Sequence, residues 1–187
     1  MLNKDKLRKK FSKIRQKNYF NIDKNFFPPL INQLKKKFKK KTIYLSIYYP
    51  SNFEVDLLKL LELIHKKKNI ITLLPAIKKK NNMNFYKWKS LEILKVNKYG
   101  MLEPNLQKKS LIPNVAIIPL LAFDKNNHRL GYGKGFYDNY LNKYLKKNKK
   151  ILTVGVAFSF QKYDKLPVSS FDVKMNYILT EKGIIKK

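Results

Sequence analysis

Apolar residues recur along this chain with two different periods, and the periods alternate. Leu7, Phe11 and Ile14 stand at helical spacing and predict an opening amphipathic helix. Lys4 and Arg8, four apart, project from one face of it. Phe27, Leu30, Ile31, Leu34 and Phe38 predict a second helix, beginning at the Pro28-Pro29 pair because proline suits a first turn. "TIYLSIYY" (42–49) is then a β-branched and aromatic run that reads as a strand, "EVDLLKLLELIHKKK" (54–68) as a helix, and "NIITLLP" (69–75) as a second buried strand. That succession is a βαβ unit, which implies parallel strands and a right-handed crossover.

Beyond it, "MNFYKW" (83–88) alternates and predicts an added strand or hairpin arm, and "YGMLEP" (99–104) is a turn signal. "NVAIIPLLAF" (114–123) is the most continuous apolar run and fits a central strand covered on both faces. Phe136, Tyr140, Leu141, Tyr144 and Leu145 return to helical spacing; "ILTVGVAF" (151–158) and "MNYILT" (175–180) complete the strands. The pattern predicts one domain over residues 1–187, a three-layer α/β/α arrangement around a mostly parallel central sheet.

Charge changes this picture less than its size suggests. The formal net charge is +30, yet the basic residues are nearly all lysine, with arginine only at Arg8, Arg15 and Arg129. Asparagine, isoleucine, phenylalanine and tyrosine are abundant while glycine is scarce, so A/T-rich coding explains much of the lysine. The runs at 35–41, 66–68, 78–80 and 146–150 sit at ends of apolar segments and read as solvated helix ends. A nucleic-acid face is the rival, though lysine alone reads bases poorly. Cysteine is absent, which excludes disulfides and thiolate metal sites. No apolar stretch is long enough for a membrane span. The basic N-terminus lacks the apolar region of a secretory signal, so a cytoplasmic protein is expected.

The candidate chemistry lies in "LGYGKGFYDNYL" (130–141), which holds three of the chain's six glycines. It follows a buried strand and opens a helix, the place where open α/β sheets bind ligands. Glycines let backbone amides approach a phosphate, and a helix N-terminus adds partial positive charge. The spacing matches neither G-x-G-x-x-G nor a P-loop. On local pattern alone, an anion-binding loop and a ligand-free glycine turn both stay open.

The longer segment "IIPLLAFDKNNHRLGYGKGFYDNYL" (117–141) resembles the signature of the 5-formyltetrahydrofolate cyclo-ligases, also called 5,10-methenyltetrahydrofolate synthetases. The resemblance extends to the K-x-x-x-R of Lys4 and Arg8, to "YYPSNFEVD" (48–56), "GMLEP" (100–104), "LTVGVAFSFQ" and "LPVSSFDVKMNYILT". It thus spans nearly the whole chain. Leucine stands in "PLLAFD" where many relatives have glycine, Ser51 and Asn52 fall in a variable segment, and the lysine excess is no family requirement.

This resemblance implies a monomeric enzyme that uses ATP and Mg²⁺ to close 5-formyltetrahydrofolate into 5,10-methenyltetrahydrofolate. Lys4 and Arg8 would reach the ATP phosphates, with Arg129, Leu130, Gly131, Tyr132, Gly133, Lys134, Gly135, Phe136 and Tyr137 forming the nucleotide loop. Lys134 and Arg129 would act catalytically on the transferred phosphoryl group. Glu54 would bind the pterin edge, Tyr49 and Tyr99 would line the same pocket, and Tyr132, Lys134 and Phe136 would also face the folate. Asp138 and Asp172 would hold Mg²⁺. Plainer readings stand beside these. Lys4 and Arg8 could be solvated helix charges, Glu54 and Asp138 first-turn acids complementing a dipole, and Asp172 a turn cap. Trp88 reads as packing, and His65 and His128 receive no role.

Overall fold

In the computed structural model, residues 3–78, 82–106, 109–147 and 150–186 are described. The chain runs through α1 (Lys4–Asn18), α2 (Pro28–Phe38), β1 (Ile43–Ser46), α3 (Leu58–Ile64), β2 (Ile70–Ile77), β3 (Met83–Lys87), β4 (Leu94–Val96), β5 (Leu102–Pro104) and β6 (Ser110–Leu111). It continues through β7 (Val115–Pro119), β8 (Ala122–Phe123), β9 (Arg129–Leu130), α4 (Phe136–Leu145), β10 (Leu152–Val156), β11 (Tyr177–Thr180) and β12 (Gly183–Lys186).

Eight strands form the main sheet in the order β12-β11-β10-β7-β1-β2-β3-β6. Its five central strands, β11, β10, β7, β1 and β2, pair in parallel, while β12 and β3 add antiparallel edges and β6 pairs with β3. Side chains of β7 alternate between the two faces. Val115 and Ile117 join Leu30, Leu34, Leu60 and Ile64 of α2 and α3. Ala116 and Ile118 join Tyr140 and Leu141 of α4. The expected three layers are therefore present. The parallel strands follow the order 5-4-3-1-2 when numbered among themselves, so the winding direction reverses between β1 and β7. A crevice at the carboxyl ends of those two strands is the natural ligand position.

Helix α1 stands outside the layers, at that carboxyl edge. Asn3 caps it by accepting from Lys6 N at 2.9 Å. Leu7 and Phe11 pack against Leu121, Ala122, Leu130 and Leu166 rather than against the sheet. Helices α2, α3 and α4 lead into β1, β2 and β10, so their C-termini gather at the opposite, strand-N-terminal edge. Lys35, Lys36 and Lys37 occupy the last turn of α2, where cations complement the helix dipole. Lys66, Lys67 and Lys68 follow α3, and Lys146 and Lys147 follow α4; residues 79–80 and 148–149 of the lysine runs lie outside the described residues.

Several boundaries differ from the sequence pattern. The helix expected over 54–68 occupies only Leu58–Ile64, because Asp56 accepts from Leu58 N at 2.9 Å and starts the helix there. The run 114–123 is not one strand. After Pro119 it leaves the sheet, and Leu121 N bonds Leu130 O at 2.7 Å to open the β8–β9 hairpin. The strand expected over 42–49 is Ile43–Ser46, which frees the following residues to form the crevice wall. Among the described residues, no helix is long and apolar enough to cross a membrane.

Candidate functional site

The segment after β7 is organised by a buried acid. Asp124, 1 % exposed, accepts from Asn126 N at 2.9 Å, His128 N at 3.0 Å, Leu166 N at 3.2 Å and His128 Nδ1 at 3.1 Å. Burial pushes its pKa upward, but these bonds together outweigh burial and hold the carboxyl below its ordinary value. His128, without a role in the sequence reading, is part of this clamp. The hairpin so fixed delivers Arg129, whose guanidinium donates to Asp138 Oδ1 at 2.8 Å and to the Val173 carbonyl at 2.9 Å.

The glycine loop follows. Gly133 and Gly135 have φ of 95° and 67°, a backbone region costly for other residues. A Cβ on Gly133 would also lie 3.2 Å from the Arg8 guanidinium carbon. Gly135 is the N-cap of α4 and offers no side-chain hydrogen bond to it. The first-turn amides of this ten-residue helix therefore lack the capping side chain that commonly satisfies them. Lys134 is exposed, with its ammonium 5.9 Å from the Tyr99 ring centroid. Tyr99 meets Phe136 edge-on at 5.7 Å.

Helix α1 closes the loop from outside. Arg8 Nε donates to the Gly131 carbonyl at 3.0 Å, and Lys4 Nζ to Asp172 at 2.5 Å. Lys4 reaches a partner far along the chain, and Arg8 reaches Gly131 as well as the exposed Asp5 on its own helix, so neither is merely a solvated helix charge. Asp172 also accepts from Ser169 N at 2.7 Å, which bears out its turn-capping rival as well. Asp138 does stand in the first turn of α4, as its plainer reading has it. It accepts from Val173 N at 3.0 Å, so the two acids are joined through adjacent residues.

The opposite wall comes from the segment after β1. Asn52 and Phe53 both adopt positive φ, 47° and 62°, a strained pair that turns Glu54 inward. Glu54 is 8 % exposed and precedes the helix by several residues, so the first-turn reading fails. Its Oε2 accepts from Ser51 N at 2.9 Å and Ser51 Oγ at 3.3 Å. Its Oε1 accepts a short hydrogen bond from the Tyr132 hydroxyl. Burial raises the Glu54 pKa above its ordinary value, with Tyr132, Ser51 and Arg15 opposing. Burial likewise pushes the Tyr132, Tyr48 and Tyr137 hydroxyls up, so all three are protonated at neutral pH. Tyr49 rests edge-on against the buried Trp88, ring centroids 6.4 Å apart, which agrees with a packing role for Trp88. A cavity of about 700 Å³ opens beside Phe136, against Met83, Asn139 and Tyr140 and between Lys78 and Lys143.

The fold thus brings Lys4, Arg8, Glu54, Arg129, the whole glycine loop, Asp138 and Asp172 to one edge, with Tyr99 beside Phe136. It also recruits three residues that the sequence reading left without a role, Arg15, Asp124 and His128. Arg15 carried two signals. It shares the helical face of Leu7 and Phe11, where a charge is out of place, and it is one of only three arginines against 39 lysines. All three arginines hold this site. Among the described residues, no three acidic or imidazole groups cluster as a metal centre.

The fold and the sequence have close counterparts. A structure of 5,10-methenyltetrahydrofolate synthetase from Aquifex aeolicus superimposes with a TM-score of 0.73 and 31 % identity, covering 98 % of this chain and 92 % of that one. The 5,10-methenyltetrahydrofolate synthetase of Mycoplasma pneumoniae gives a TM-score of 0.72 at 25 % identity, covering 95 % and 98 %. In sequence, the 5-formyltetrahydrofolate cyclo-ligase of Mycoplasma genitalium is 32 % identical over 182 residues, 96 % of this chain and 98 % of that protein. The Haemophilus influenzae cyclo-ligase is 38 % identical over 90 residues, and that match spans 47 % of its length. With residues 3–181 matching the model of the 5-formyltetrahydrofolate cyclo-ligase family, the chain belongs to that family of ligases.

Proposed function

We propose that this chain, acting as a monomer, closes 5-formyltetrahydrofolate into 5,10-methenyltetrahydrofolate at the expense of ATP. One observation carries the reading. The N-terminus of α4, without a capping side chain, and its glycine loop are ringed by Arg8, Arg129 and Lys134, and the buried Glu54 faces them through Tyr132. An anion cradle and a pterin-binding carboxylate therefore share one edge of one chain.

The chemistry is the one that the family resemblance implies, and that placement suits it. The formyl oxygen attacks the γ-phosphorus; the bond to ADP breaks, and a phosphorylated formyl intermediate forms. The folate N10 then attacks the activated carbon, N10 loses its proton, and phosphate departs with the former formyl oxygen. The attacking oxygen carries no proton, so alignment and charge neutralisation dominate the first step. Loop amides, Lys134 and Arg129 would stabilise charge on the transferring phosphoryl group. Lys4 and Arg8 would bind the nucleotide from α1. Glu54 accepts from pterin N–H groups, and Tyr49, Tyr99 and Phe136 pack the folate rings.

Asp138 and Asp172 fit a magnesium ion in donor type, since Mg²⁺ takes one or two carboxylates together with substrate phosphates. Each keeps a carboxylate oxygen with no hydrogen bond to the described residues. When bound, the ion would supply charge neutralisation on the phosphates.

Turnover of 5-formyltetrahydrofolate by the purified protein, followed by methenyl absorbance with and without MgATP, tests the reading. Product that forms only with MgATP is expected; no product from folded protein overturns it. In the same assay Lys134→Ala should lower kcat far more than it weakens folate binding, and equal losses would remove Lys134 from the phosphoryl step.

A further inference from the structure

Arg15 is 2 % exposed, yet no ligand of the proposed reaction needs it directly. It occupies the third position of the α1 stripe formed with Leu7 and Phe11, where leucine would pack at lower cost. Its guanidinium donates to the Tyr132 hydroxyl at 2.6 Å and to the Leu120 carbonyl at 3.3 Å. Its guanidinium carbon also lies 5.4 Å from the Tyr132 ring centroid. Leu120 is the residue at which the chain leaves β7, and Tyr132 stands in the glycine loop. Arg15 thus ties the exit of the central strand to the loop itself.

Donor arithmetic gives this contact a direction. Arginine has no acceptor, so the Tyr132 oxygen must accept from it. The single phenolic proton is then committed to Glu54, the other partner in reach. We propose that Arg15 is a positioning residue, which acts through the Tyr132 hydroxyl to orient Glu54 and the glycine loop for folate. The inference rests on Glu54 being the pterin-binding carboxylate. Lysine could carry the charge here but lacks the rigid planar fork that donates to Tyr132 and Leu120 along fixed directions.

The electrostatics agree. Glu54 is surrounded by Tyr132, Tyr48, Tyr137, Ser51 and Arg15; burial favours its protonated form, and Arg15 is the cation opposing that tendency. Removing Arg15, or the hydroxyl it holds, raises the Glu54 pKa further. Folate binding that needs the carboxylate then loses its acid side at a higher pH.

The test is a double-mutant cycle on binding of 5-formyltetrahydrofolate by calorimetry from pH 5 to 8, using wild type, Arg15→Met, Tyr132→Phe and the double variant. Each single variant should weaken binding about tenfold at neutral pH and move the acid limb upward, as loss of a charge-assisted network does. The double variant should lose no more than the worse single one, since contacts in one chain of hydrogen bonds do not add. Arg15→Lys should keep the acid limb near its wild-type position while recovering only part of the affinity; the uncharged Arg15→Gln replaces Arg15→Met in the cycle if that variant does not fold. Additive losses, or an acid limb that stays in place, overturn the positioning role. If wild type binds no folate, Glu54 is not the pterin ligand and this inference falls with that reading. If wild type binds and only the variants fail to shift, the inference alone falls.

Discussion

The two edges of the sheet are both basic, by different means. At the strand-N-terminal edge, Lys36, Lys40 and Lys66 are exposed, and their charges complement helix ends. At the carboxyl edge, Arg8, Arg15 and Arg129 are largely covered, and each holds partners at fixed distances. An ammonium is a hydrated point charge, whereas a guanidinium is a rigid planar fork. Where only positive charge is needed, this chain uses lysine. Where one charge must serve two partners at once, it keeps arginine, against a composition that otherwise replaces it.

Four experiments sharpen or break that contrast. The largest effect is expected from Arg129→Lys, which cannot reach Asp138 and Val173 together; a loss of about 2 kcal/mol in urea unfolding should accompany a fall in turnover. An unchanged midpoint would dissolve the distinction between the edges. Glu54→Gln should raise the folate Kd roughly tenfold, about 1.4 kcal/mol, while ATP affinity holds. Equal folate affinity would leave the site edge with no pterin ligand of its own.

The pair of Lys4 with Asp172 gives a smaller effect, with a pH signature. Burial raises the Asp172 pKa, but Lys4 and Ser169 more than offset it, so the group ends below its ordinary 3.8. Its stabilisation is therefore full above that value and is lost as pH falls through the lowered pKa. Lys4→Met should cost under about 1 kcal/mol at neutral pH, with the two stability curves converging as pH falls through that lowered pKa. Parallel curves would deny the pairing. The smallest change is expected from Lys36→Gln, Lys40→Gln and Lys66→Gln combined, within about 0.5 kcal/mol and with turnover intact. A collapse of turnover in that variant would give the lysine edge a function.

Much of this was readable from the chain. Periodicity located α1, α2, α4 and the parallel strands, and the motif at 129–138 marked the site. What escaped depends on partners that spacing does not encode. Pro119 ends β7 because Leu121 finds Leu130 across a hairpin, although the apolar run itself continues. The apolar spacing predicts a helix from Glu54, whereas Asp56 accepts from Leu58 N and the helix begins at Leu58. The edge strand β12 is a short apolar pair between lysines, with too few residues to show a period. Arg15 was visible as an anomaly, a charge on an apolar stripe, but its purpose appears only once Tyr132 is folded over it.

The seat of α1 has a consequence for how the protein is made. Leu7 and Phe11 are covered by residues as late as Leu166. A ribosome adding about 5–20 residues per second leaves that greasy stripe uncovered for roughly ten to thirty seconds. The segment 4–18 stays apart from that late part of its dock until it is synthesised, and a fifteen-residue helix alone in water is marginal. Its own charge is then what keeps it dispersed during the wait, and lysine suits that task.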